Sequence, residues 1–204
     1  MYIVIEGQDG TGKSTQVRLL KKYFDKQGKK VVIMDEPDGD LPQAHDIHDL
    51  IVIRGRDYNL EPMTNFMLFT AARLELWKKL AEPTLNSGGI VISARNWWSS
   101  LAYQGYGEGL SRSKIIRLTK DIMPERYFAP SKSAILTVSD GIRLERQHDR
   151  GKATETFEAK PDAFQQRVNS AYPKIAKDFD IPIIDASGTI NEVFDRLINS
   201  LNLQ

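Results

Sequence analysis

Cysteine is absent from this 204-residue chain, which excludes a disulfide framework, a thiolate metal site and a cysteine nucleophile. Long apolar runs are missing as well. None approaches the ~20 residues of a membrane span, and the opening strand is too short and polar-flanked for a signal peptide. A cytoplasmic location is therefore expected, with no membrane partner. Charge of one sign is also lacking: 28 Lys and Arg against 27 Asp and Glu leave a formal net charge of +1. Bulk attraction to nucleic acid is not the basis of function in such a chain. Neither an internal repeat nor a linker is visible, and 204 residues suit one well-buried α/β domain spanning the whole chain.

What is present begins at residue 2. Tyr2 to Ile5 is a short β-branched, apolar run with the composition of a buried strand. It leads into Gly7-x-x-x-x-Gly12-Lys13-Ser14, the full phosphate-binding loop pattern, and then into a helical stretch from about Ser14 to Gln27. Gly7, Gly10 and Gly12 let the backbone turn so that successive N–H groups, including those around Thr11 and Thr15, point at phosphate oxygens. The helix adds its positive end to the same site. Lys13 supplies a mobile charge for the outer phosphates, and the Ser14 hydroxyl is placed to ligate Mg²⁺. The chain binds a nucleoside triphosphate or a close relative of one.

Further strands are expected at Val31–Met34, Ile90–Ser93, Ala134–Val138 and Ile181–Asp185. Helical patterns fall near Gln43–Ile53, Glu61–Leu85 with a kink near Ala81 ahead of Pro83, Ser111–Met123, Asp162–Asp178 and Ile190–Asn199. Arg54–Asp57 reads as a loop. Strands alternating with helices predict a five-stranded parallel sheet flanked by helices, the P-loop NTPase fold. Arg143, Arg146 and Arg150 cluster in a stretch of about 143–160, where an arginine-bearing lid would close on the phosphates and exclude water. Taken alone, these arginines also fit a solvated helix face beside Glu145 and Asp149. No Asn/Thr-Lys-x-Asp base-reading motif of a GTPase appears, and a motor's extra domains do not fit.

Several segments together carry a closer resemblance. They are Ile3-Val4-Ile5-Glu6-Gly7-x-Asp9-Gly10-x-Gly12-Lys13-Ser14-Thr15-Gln16, the pair Glu36-Pro37, Leu68-Phe69-Thr70-Ala71-Ala72-Arg73, and Arg95 with Ser99 and Ala102-Tyr103-Gln104-Gly105. Phe164, Val168 and Ala171-Tyr172 continue the pattern. In this combination the sequence resembles the thymidylate kinase family over nearly its whole length. The resemblance implies phosphoryl transfer from Mg·ATP to dTMP, giving dTDP and ADP, with ATP as co-substrate and Mg²⁺ as cofactor.

It also implies roles. Asp9 would place the sugar of the monophosphate, Phe69 would stack on the pyrimidine, and Arg73 and Gln104 would meet its O4 and N3 edge. Arg95 would hold the acceptor phosphate. Tyr103 would crowd the ribose 2′ position, with Glu36, Pro37, Ser99, Ser100 and Tyr172 around the same site. Arg150, with Arg146 behind it on the ATP side, would neutralise the transferring group. A homodimer is implied too, with the Glu61–Leu85 helix and the Trp97-Trp98 segment as apolar contact surface.

The family pattern is broken at four places. Ala94 stands where the family has an Asp before Arg95, which removes a carboxylate from the Mg²⁺ shell; Glu6 and Glu36, both at strand ends, are candidate substitutes. Asp35 replaces an Arg before Glu36-Pro37, His48 replaces a helix Arg, and Glu155-Thr156 replaces an Asp-Arg pair. Two alternatives stay open on these grounds: a kinase for another deoxynucleoside monophosphate, or a nucleotide-binding protein with weakened catalysis.

Overall fold

Tyr2–Gly7 forms the central strand β1, buried along its full length. A computed structural model describes residues 1–37, 41–149 and 156–203. Around β1 run β2 (Val31–Asp35), β3 (Ile90–Ala94), β4 (Lys132–Thr137) and β5 (Ile183–Asp185), in the order β2-β3-β1-β4-β5. All four pairings are parallel. The five expected strands are therefore present, β5 starting at Ile183 rather than Ile181. Parallel strands buried on both faces need apolar residues at successive positions, and β1 shows the consequence. Tyr2 and Val4 pack on one side with Trp77, Trp97, Tyr127 and Tyr172. Ile3 and Ile5 pack on the other with Val17, Leu20, Val193 and Leu197.

The helices that matter for the site are α1 (Lys13–Asp25), α2 (Pro42–His48), α3 (Pro62–Leu76), α4 (Arg112–Ile122), α5 (Asp140–Asp149), α6 (Asp162–Phe179) and α7 (Ile190–Ser200). The expected Glu61–Leu85 helix is interrupted: α3 passes into a π-helical turn at Trp77–Ala81 before a short helix at Glu82–Asn86. Pro83 comes just after the π-helical turn, whose altered register accommodates its missing N–H. Arg54–Asp57 is not a plain loop, since Gly55–Tyr58 makes a helical turn. The polar, aromatic stretch after β3 is helical from Trp97 to Gly107, its second part π-helical.

Those tryptophans are interior. Trp97 and Trp98 are 3% and 4% exposed and pack against Phe128 and Phe179, so they do not offer the apolar contact surface expected of them. No helix among the described residues is long and apolar enough to cross a membrane.

Candidate active site

At the carboxyl edge of the sheet a cleft of about 550 Å³ is lined at one end by Gly10, Gly12, Lys13, Ser14, Thr15 and Arg146. Phe69, Arg73, Tyr103 and Gln104 line the same cleft. The loop end is built by backbone. Gly7 (φ +141°) leaves β1 so close to β4 that a Cβ there would lie 2.4 Å from the Leu136 carbonyl oxygen, a position only glycine can occupy. Gly12, in the left-handed region at φ 91°, sits at the entry to α1, which presents the helix amides to an anion.

Lys13 is buried, its Nζ donating to the Gln8 carbonyl at 2.9 Å and lying 3.8 Å from Asp9 Oδ1. Burial, then the nearby Arg95 charge, hold its pKa down at about 8. Ser14 is exposed in the first turn of α1. Thr11 turns inward to donate from Oγ1 to Gln8 O at 2.8 Å, so it and Gly7 shape the loop without lining the cleft.

Past the loop, side chains from β1, β3 and the Trp97–Gly107 segment interlock. Asp9 accepts from Arg95 Nη2 and, at 2.7 Å, from the Tyr103 hydroxyl. Arg95 also donates from Nη1 to Gly7 O at 3.2 Å and to Ser99 Oγ at 3.0 Å. Its backbone adopts a left-handed φ of 74°, a costly conformation for a non-glycine residue that persists where the surroundings over-determine it. Glu6 provides that restraint. Its fully buried carboxylate accepts from the amides of Asn96 (2.8 Å) and Ser99 (3.1 Å) and from the Ser99 hydroxyl. The Tyr103 phenol is pushed well up, by burial first and by the Asp9 charge second. The phenol therefore stays a neutral donor to Asp9.

The far end is a second buried network. Arg73 of α3 donates from Nε to Glu36 Oε2 at 2.7 Å and from Nη1 to Ser100 Oγ at 2.8 Å. The Tyr127 hydroxyl donates to both Glu36 oxygens at 3.1 Å. Burial pushes the Glu36 carboxyl up to about 7, against the pull of Arg73 and of the Tyr127 hydrogen bond. Phe69, one turn before Arg73, is half-buried, with its ring 5.7 Å from the Arg73 guanidinium carbon. It is a wall of the cleft rather than core. Gln104 comes off the π-helical stretch, donating to Glu108 Oε2 at 3.3 Å. An extra residue in a helical turn shifts the faces that follow, and both Tyr103 and Gln104 line the cleft.

Pro37, Ser99, Asp9 and Arg95 join Phe69, Arg73 and Tyr103 in that lining. Ser100 and Tyr172 stand behind it: Ser100 holds Arg73, and the Tyr172 hydroxyl lies 3.5 Å from Arg95 Nη1. The lid expectation divides. Arg146 of α5 lines the cleft beside Gly12, 4.0 Å from where a Cβ of that residue would stand. Arg143, by contrast, is 4% exposed and faces Asp140 at 3.4 Å, so it is a structural residue of α5. Arg150 and Glu155 lie outside the described residues.

Four contributors escaped sequence reasoning. Arg18, Val52 and Phe157 line the cleft, Phe157 with its ring 5.8 Å from those of Phe69 and Tyr103. Tyr127 is the partner of Glu36. Only Arg18, four residues beyond Ser14 on the same helical face, had a readable signal. Of the carboxylates that could stand in for the one missing at Ala94, Glu6 is outside the cleft lining and accepts on both oxygens from Gly7, Asn96 and Ser99. Glu36 lines the cleft while engaged by Arg73 and Tyr127, and Asp35 lines it one residue before.

Comparison with known proteins bears on all of this. The family model described as thymidylate kinase matches residues 5–197. A thymidylate kinase of Chlamydia caviae is 35% identical over 179 residues, covering 87% of this chain and 84% of the relative. A second, of Cereibacter sphaeroides, is 35% identical over 209 residues, covering 98% and 93%. Among solved structures, thymidylate kinase from Ehrlichia chaffeensis matches with a TM-score of 0.78 at 27% identity, covering 100% of this chain and 98% of that one. The parallel sheet, its strand order and the loop after β1 make this the P-loop NTPase fold.

Proposed function

The chain belongs to the thymidylate kinase family, and we propose that it transfers the γ-phosphoryl group of ATP to dTMP, giving dTDP and ADP. The observation that carries this reading is one cleft with a phosphate loop at one end and the Phe69–Arg73–Gln104 surface at the other. ATP lays its phosphates on the loop amides and Lys13. Phe69 covers the pyrimidine face, while Arg73, fixed by Glu36 and Ser100, and Gln104 meet its polar edge. Arg95 holds the acceptor phosphate and Asp9 the sugar, with Tyr103 closing the space at the 2′ position. Arg146, and Arg150 from outside the described residues, neutralise the group in flight. Catalysis is positioning plus charge neutralisation, and needs no covalent intermediate.

Mg²⁺ fits the donor set present, since a hard cation takes oxygen ligands. Ser14 Oγ and Asp35 would hold it beside the triphosphate, where it would offset developing charge. Asp35 is the register partner of Ala94 across β2 and β3. By strand alternation it shares the face of Val31 and Ile33, the face on which Ala94 and α1 also pack. The carboxylate absent at 94 is thus supplied one strand over. Asp35→Asn is expected to lower turnover about 10–100-fold, with partial recovery on adding Ala94→Asp. Unchanged turnover in Asp35→Asn would remove that role.

Residues 1–204 act as a single domain in this reading, in the cytoplasm, and as a homodimer. Light scattering at assay concentration giving one monomer mass would reject the dimer. The activity itself is tested by following ADP release from the purified chain with Mg·ATP and a panel of nucleoside monophosphates. Turnover is expected to be highest with dTMP. One methyl group is worth only ~1–3 kcal/mol, so dUMP is the nearest competitor. ATP binding without turnover on any monophosphate would sink the proposal.

A further inference from the structure

His45 and His48 converge on one point at the end of α2. His45 and His48 occupy its last turn, and Asp49 opens the π-helical stretch Asp49–Ile53 that follows. Separations of three and four residues bring side chains to one helical face. One ligand atom from each of the three lies within 4.8 Å of the other two. Asp49 is the hub, its Oδ1 3.3 Å from His48 Nδ1 and its Oδ2 3.9 Å from His45 Nε2. The two imidazole planes are only 10° apart, with centroids separated by 6.2 Å.

Two imidazoles and a carboxylate form a donor set for a borderline transition metal, unlike the all-oxygen set at Ser14 and Asp35. A tetrahedral zinc-type ion with ligands at about 2.0–2.1 Å sets neighbouring donor atoms roughly 3.3 Å apart. The His48 Nδ1–Asp49 Oδ1 separation already has that value. His45 Nε2 faces the other carboxylate oxygen, Oδ2, at 3.9 Å, and the His45 side chain is 59% exposed, which leaves it room to turn inward. We propose that His45, His48 and Asp49 form a binding site for a divalent transition-metal ion of the zinc class, separate from the magnesium–ATP site.

Three protein ligands leave one position open to water or to a phosphoryl oxygen. Its location gives the site a consequence. The His48 side chain, 18% exposed, is also part of the cleft wall. Four residues on, the Val52 carbonyl accepts from both the amide (2.9 Å) and the hydroxyl (2.7 Å) of Thr156. A bound ion fastens the end of α2 to the segment that anchors this margin of the lid region.

The chain has no cysteine and three histidines in all, so competing sites are few. The test is calorimetric titration of Zn²⁺ into the nucleotide-free protein, nucleotide being omitted because its phosphates chelate the ion. Parallel Co²⁺ titration reads the visible absorption of a tetrahedral site. One ion per chain is expected, with affinity falling at least about tenfold in His45→Ala and in Asp49→Asn. Zn²⁺ should raise the melting temperature of the native chain but not of His45→Ala. The exposed position of His45 makes that variant safe for folding, and circular dichroism checks it. No uptake, or uptake of equal strength in His45→Ala and His48→Ala, overturns the proposal, the latter by placing the ion elsewhere, as on His148.

Discussion

The two ends of the cleft are built by different means. The loop end is made of consecutive residues: a strand, a turn that only glycines can make, and a helix whose first amides face the cleft. The far end is made of side chains from distant parts of the chain, each held by another. Arg73 is aimed by Glu36 and Ser100, and Glu36 in turn by Tyr127. Arg95 is aimed by Asp9, Ser99 and the Gly7 carbonyl. A backbone site tolerates changes around it as long as the turn survives. A side-chain network in low dielectric fails as a unit, because removing one member strands a buried charge.

The largest effect should therefore come from the far end, and on stability. Glu36→Ala leaves the buried Arg73 guanidinium without its carboxylate, and should cost about 3–5 kcal/mol in denaturant unfolding. A loss below ~1 kcal/mol would mean that Arg73 finds another partner or water. At the loop end, Lys13→Ala removes the phosphate-loop side chain proposed to follow the outer phosphates. Turnover should fall about 10²–10³-fold with little change in stability; retained activity would contradict the phosphate-loop mechanism.

Tyr103→Phe is smaller. It deletes one hydrogen bond to Asp9, worth about 1–3 kcal/mol for a charged acceptor. The loss should appear as weaker discrimination between dTMP and the ribonucleotide.

The smallest effect is a proton. With Lys13 at about 8 in the ligand-free protein, the phosphates of ATP raise its pKa on binding. At pH 8, binding should then take up about half a proton per site, and less below pH 7. Calorimetric heats at pH 8 should depend on the buffer's ionisation enthalpy; identical heats in two buffers would show that Lys13 is already fully charged.

The same contrast explains what could be read in the sequence. The loop, α1 and all five strands were legible because their signals are local: a spaced glycine motif and apolar runs. Phe69, Arg73, Arg95 and Gln104 were visible only through the combined spacing of several segments. Their partners were not. Tyr127 meets Glu36 across 91 positions, and nothing near Tyr127 announces it. The π-helical stretches at 77–81 and 101–107 depart from the 3.6-residue period on which helix reading depends. Arg143 was misread because its charge suggested a lid face, whereas its place on α5 turns it inward. Asp35 was read as a lost arginine; only strand register shows that it stands beside Ala94.

Arg73, held rigid by its buried partners, is proposed to read the base. The direct measurement is the ratio of kcat/KM for dTMP over dCMP, in the native chain and in Arg73→Gln. Taking both substrates on one preparation cancels any loss of folded protein. A site built to pair with one polar edge rejects the opposite polarity strongly, by up to about 10⁴–10⁵. The native ratio should therefore be large and should fall at least about tenfold in Arg73→Gln. The same ratio in both proteins would show that the base is read elsewhere in the cleft.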